Sequence, residues 1–107
     1  MEYPQRFRQD QLERIIDEAT IYMCACPAQV AVKVGNLREL IRYQNRCIEQ
    51  GGTEGEVHRA IAQAASDAHA IMEDCLDRVL DMEGWDRETL KMPEGLRKLR
   101  DEEINRD

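Results

Sequence analysis

From Glu54 to Glu83 the chain has no proline and only Gly55 as a glycine, and its apolar residues keep a helical rhythm throughout. Val57, Ile61, Ala64, Ala68, Ile71 and Cys75 recur at alternating steps of four and three. A second row, Ala65, Met72, Leu76, Val79 and Leu80, widens the apolar face. Such spacing marks one long helix, roughly 45 Å at 1.5 Å per residue. A face this broad calls for more than one neighbour. Alanines at Ala60, Ala62, Ala64, Ala65, Ala68 and Ala70 would let another helix come close.

The boundary before this helix is sharp. Gly51-Gly52 suits the left-handed turn that ends a helix, and Thr53-Glu54-Gly55-Glu56 reads as a capping box opening the next one. Upstream, a helix is predicted from about Pro27 to Gln50. Its stripe is Val30, Val34, Leu37, Leu40, Ile41, Cys47 and Ile48, with Arg38, Arg42 and Glu49 largely off it. Pro27 disfavours helical geometry at Cys26 and is itself well suited to a first helical turn, which sets a corner at Cys24–Pro27. Before the corner, Leu12, Ile15, Ile16, Ala19 and Met23 form one face of a shorter helix. Asp10 is expected to cap it and Glu13 to bond back. After Gly84, Asp86 is a candidate cap for a short turn through Leu90. Leu96 and Leu99 fit a small docking helix behind Met92-Pro93, and the charged end from Asp101 is expected to fray.

These elements predict an all-α fold: an antiparallel helical bundle with a shorter N-terminal helix, a long helical hairpin and a short C-terminal helical segment. Residues 1–107 form a single domain, with the core over about 10–84 and the segment 85–107 docking on it or partly mobile. Hydrophobic residues at 42% support a real core despite 35% charged residues, while 5% aromatics and the lack of period-two runs argue against a β fold. One copy would bury only a thin core, so a homodimer forming a larger bundle is expected.

A net charge of −7 disfavours nucleic acid and anionic membrane surfaces as partners, since both need a basic face. The N-terminus lacks a basic region followed by an apolar one, and no run approaches the ~18 apolar residues of a membrane span. A cytoplasmic setting is therefore expected, with the four cysteines reduced.

The residues with most chemical promise are Cys24-Ala25-Cys26-Pro27 at the predicted corner. An antiparallel hairpin turning at residue 52 sets Cys75 level with residue 29. It so gathers Cys24, Cys26 and Cys75 at one end and leaves Cys47 at the other. Three thiols could hold Zn or another thiophilic metal, and a thiol at a helix N-terminus is more acidic and more reactive. The competing reading is core packing, because buried cysteine behaves as a small hydrophobe. His58 and His69 point within ~20° of one another but stand about three turns apart, too far to share a metal ion. His69 borders the apolar face, where an imidazole can simply be accommodated. No Glu-x-x-His pair, phosphate loop or nucleophile arrangement is present, so no catalytic residue is assigned. The expectation is a helical interaction or assembly protein, with a thiol-based metal or redox protein as the alternative.

Overall fold

The computed structural model describes residues 2–20 and 26–93. Three helices follow in order: α1 over Gln9–Thr20, α2 over Cys26–Glu49 and α3 over Gly55–Glu83. The all-α class and the long hairpin are as the pattern predicts. Helix α2 is central, packing against both α1 and α3. The one β pairing among the described residues is an isolated bridge between Asp86 and Lys91.

Helix α1 starts differently from the expectation. Arg8 occupies the cap position, and the Gln11 side chain reaches back to accept a hydrogen bond from the Arg8 backbone N–H at 2.8 Å. This is the return half of a capping box, made two residues earlier than Asp10 and Glu13 would make it. Asp10 instead sits in the first turn and holds the Arg8 guanidinium at 3.0 Å. Leu12, Ile15 and Ala19 are buried as expected. Met23 lies outside the described residues, as do Leu96, Leu99 and the charged C-terminal end.

The start of α3 also departs from its expected box. Glu54, not Thr53, is the capping residue, and no side-chain bond is made there. Its other end follows the glycine rule closely. Gly84 is left-handed at φ 74° and its N–H meets the Asp81 carbonyl, while Trp85 N–H meets that of Leu80 at 3.0 Å. The two bonds form the paired Schellman closure, and they swing Trp85 back onto the core. The Asp86 carboxylate then caps the next turn, accepting from Glu88 and Thr89 N–H groups at 2.9 Å each. Leu90 and Met92 follow Trp85 into the interior, so the core extends past residue 84.

The core cluster gathers at the end of the hairpin where α1 lies: Phe7, Leu12, Ile15, Ala19, Ala28, Ala31, Val34, Leu76, Leu80, Trp85, Leu90 and Met92. Two face assignments are corrected. On α2 the buried row is Ala31, Val34, Arg38, Ile41 and Gln44, so Arg38 lies at the centre of the interface and Leu40 faces water. On α3 the buried row is Ala62, Ala65, His69, Glu73, Leu76 and Leu80. Of the first apolar row, Val57, Ile61 and Ile71 are exposed. Among the described residues, helix α3 has a single helix neighbour, α2, and the row turned towards it is the one that sets His69 and Glu73 against Arg38.

An added Cβ at Gly84 would meet only Pro93 at 3.9 Å, an ordinary contact, so its cost there is conformational. Gly84→Ala is expected to destabilise the fold by about 1 kcal/mol, the left-handed penalty of an L-residue. A urea titration followed by far-ultraviolet circular dichroism measures it.

Candidate functional site

The residues before α1 cross the hairpin and are clasped by it. Glu73 on α3 takes the backbone N–H groups of Arg6 and Phe7 on a single oxygen, Oε2, at 2.8 and 3.0 Å. The same oxygen accepts from Arg38 Nη2 at 3.0 Å, and that guanidinium nitrogen also donates to the Phe7 carbonyl at 2.5 Å. Arg38 Nε donates to His69 Nε2 at 3.0 Å. A donor aimed at Nε2 requires a lone pair there, so the imidazole proton sits on Nδ1, 3.6 Å from Glu73 Oε1. The Tyr3 ring stands edge-on to the imidazole, with centroids 5.0 Å apart.

All three polar residues are at most 2% exposed. Burying a charged pair is costly, and the geometry offsets that cost by leaving Glu73 and Arg38 with several partners each. Burial pushes the His69 pKa below its ordinary 6.5; Glu73 opposes that shift and Arg38 adds to it. The imidazole is therefore neutral and an acceptor towards Arg38. Both ring nitrogens face protein groups and the triad has no open side, so its work is to hold the N-terminal segment.

On the outer edge of α3 a solvent-facing ladder reinforces this hold. Arg6 pairs with Asp74 and with Asp77, the latter at 3.3 Å. Arg87 from the C-terminal turn pairs with Asp77 and with Asp81, the latter at 2.7 Å. Hydrogen bonding to Arg87 and the two positive charges hold the Asp77 carboxyl below its usual range. Towards the hairpin tip, Gln44 Oε1 on α2 makes a polar contact with His58 Nδ1 on α3 at 2.7 Å.

The cysteine proposal lies partly beyond this geometry. Cys24 lies outside the described residues; Cys26 is exposed at the first position of α2, and Cys47 and Cys75 are half-buried. Among the described residues, no group of three or more His, Cys, Asp or Glu is arranged to hold a metal ion. His69, expected as an accommodated imidazole, belongs to the buried triad. Arg38 and Glu73 were not singled out from the sequence, although both follow the spacing of the buried rows.

A second feature is the opposite flank of α3. Val57 is 51% exposed, Ile61 36% and Ile71 68%, with Ala64 also exposed and Ala68 and Cys75 half-buried on the same stripe. A shallow depression beside Cys75 is lined by Ile71, Asp74, Arg78, Val79 and Met82. The stripe lies about 120° around the helix from the buried row. The chain matches no known family model, no curated protein and no solved structure. No helix among the described residues is long and apolar enough to cross a membrane.

Truncating Arg38 to Ala would strand the Glu73 carboxylate in the core. A loss of about 3–5 kcal/mol is expected in chemical unfolding, and combining Arg38→Met with Glu73→Leu should not recover it, because the Arg6 and Phe7 N–H groups then lose their buried acceptor. The pH dependence has a definite sign. Because the folded pKa of His69 is lowered, the unfolded chain binds the extra proton, so stability is full above pH 6.5 and falls as the pH drops below it. Urea midpoints at pH 7.5 and 5.5 should differ in that direction, and the difference should shrink in His69→Gln.

Proposed function

We propose that this chain is a helical interaction module that assembles as a homodimer through the outer face of α3. The observation that carries the reading is the exposed apolar stripe Val57, Ile61, Ala64, Ala68, Ile71 and Cys75. Scattered exposed apolar residues need no explanation, but a continuous stripe at helix-pairing spacing does.

The distribution of the core supports the same reading. Helix α1 has 12 residues and α3 has 29, so α1 can line less than half of the hairpin. Beyond it, towards the turn at Gly51-Gly52, the buried residues are Ile41, Gln44, Ala62 and Ala65, and none of these belongs to the main core cluster. A pair of helices joined by so little apolar contact gains from a further helix alongside. Asp77 and Asp81 are engaged by Arg6 and Arg87 on the other flank, and Asp74, which borders the stripe beside Ile71 and Cys75, is paired with Arg6.

Light scattering coupled to size exclusion is expected to give twice the 12.4 kDa of one chain. Ile71→Glu should weaken self-association by about a hundredfold, ~2.7 kcal/mol, while leaving the helical spectrum intact because Ile71 is 68% exposed in the single chain. A dimer indifferent to that change would place the contact elsewhere, and a monomeric wild-type chain would end the proposal.

A further inference from the structure

The outer stripe of α3 has an internal symmetry. Taken about residue 66, Val57 stands opposite Cys75, Ile61 opposite Ile71 and Ala64 opposite Ala68. Both the spacing and the side-chain size read the same in either direction, with small residues at the centre and larger ones outside. Continuing the stripe by one step at each end brings Glu54 opposite Arg78, and both are exposed. A helix face with this property is complementary to itself when a second copy runs antiparallel.

We infer that two copies pair antiparallel along α3 about a two-fold axis at residue 66, with Glu54 of each copy facing Arg78 of the other at both ends of the seam. This rests on the self-association proposed above and deepens it by assigning orientation and register. In heptad terms Ile61, Ala68 and Cys75 share one seam position, and Val57, Ala64 and Ile71 share the other. The stated pairing therefore sets unlike seam positions in every layer, as antiparallel helix pairs require. A two-fold contact uses the same patch on both copies, so each layer appears twice. The paired stretch from Glu54 to Arg78 spans about 36 Å.

Charge discriminates between orientations. In a parallel pair the same positions meet their own copies, so Glu54 would face Glu54 and Arg78 would face Arg78. Antiparallel pairing replaces two like-charge contacts with two opposite-charge contacts. It also places the two alanine pairs at the axis, where the helix backbones come closest.

Two experiments on the full-length chain test orientation separately from association. In a background carrying Cys24→Ser, Cys26→Ser and Cys47→Ser, Val57→Cys is oxidised with copper phenanthroline, which takes two electrons as two thiols join and release their protons. Peptide mapping should find an intermolecular disulfide between positions 57 and 75, absent when Cys75→Ser is added. Disulfides joining position 57 to 57 or 75 to 75 in its place would overturn the arrangement.

The second experiment needs no crosslink. At a concentration where the hundredfold-weakened Ile71→Glu variant is monomeric, adding Ile61→Lys should restore the dimer, because lysine then faces glutamate in both 61–71 layers. The restored dimer should weaken with salt. In a parallel pair the double variant sets like charges together and stays monomeric. A wild-type dimer with a monomeric double variant would reject this register while leaving self-association standing; a monomeric wild type would reject both.

Discussion

Arg38 and Glu73 meet in the interior at 3.0 Å, and through them three parts of the chain far apart in sequence are brought to one point. Arg38 comes from the central helix, Glu73 from the long one, and the carbonyl and N–H groups they hold belong to Arg6 and Phe7. Without that carboxylate, the two N–H groups of the crossing segment would lose their acceptor beside a buried phenylalanine. Burying Phe7 is thus tied to a charged pair, and the pair in turn is satisfied by the segment it captures. His69 completes the arrangement as a neutral acceptor, possible because burial disfavours its protonation. The triad fixes where the N-terminal segment crosses, and from there Arg8 and Gln11 set the start of α1.

The helices, the turn at Gly51-Gly52 and the closure at Gly84 were legible because each depends on local chemistry. A left-handed glycine and a 3.6-residue apolar rhythm need no knowledge of the tertiary fold. Which face of α3 turns inward was not legible, since Ala65, Leu76 and Leu80 compete with Val57, Ile61 and Ile71 on apolar character alone. The decision depends on pairing across helices: His69 and Glu73 lie on the first of these faces and meet Arg38 on α2. A rule that places charged residues outside reads Arg38 as solvated. Its burial could be anticipated only from its place in the row Ala31, Val34, Arg38 and Ile41, with a partner on the facing helix at the right height. The capping of α1 and α3 shows the same limit at smaller scale, because Gln11 and Glu54 displace the expected residues by one or two positions.

The two rows on α3 share one period, so composition rather than rhythm separates them. From Ala62 to Leu80 the buried row takes five steps over 18 residues, and from Val57 to Cys75 the outer row takes five steps over 18 as well. Both follow the 3.6 repeat of a straight helix, so either could lie along α2 without supercoiling. What the buried row has and the outer one lacks is His69 and Glu73, which reach Arg38 on the facing helix. The outer row carries no group that could satisfy Arg38, so turning it inward would leave that guanidinium buried without an acceptor. The polar groups thus decide which face closes the hairpin, and Val57, Ile61 and Ile71 are left in water by that choice.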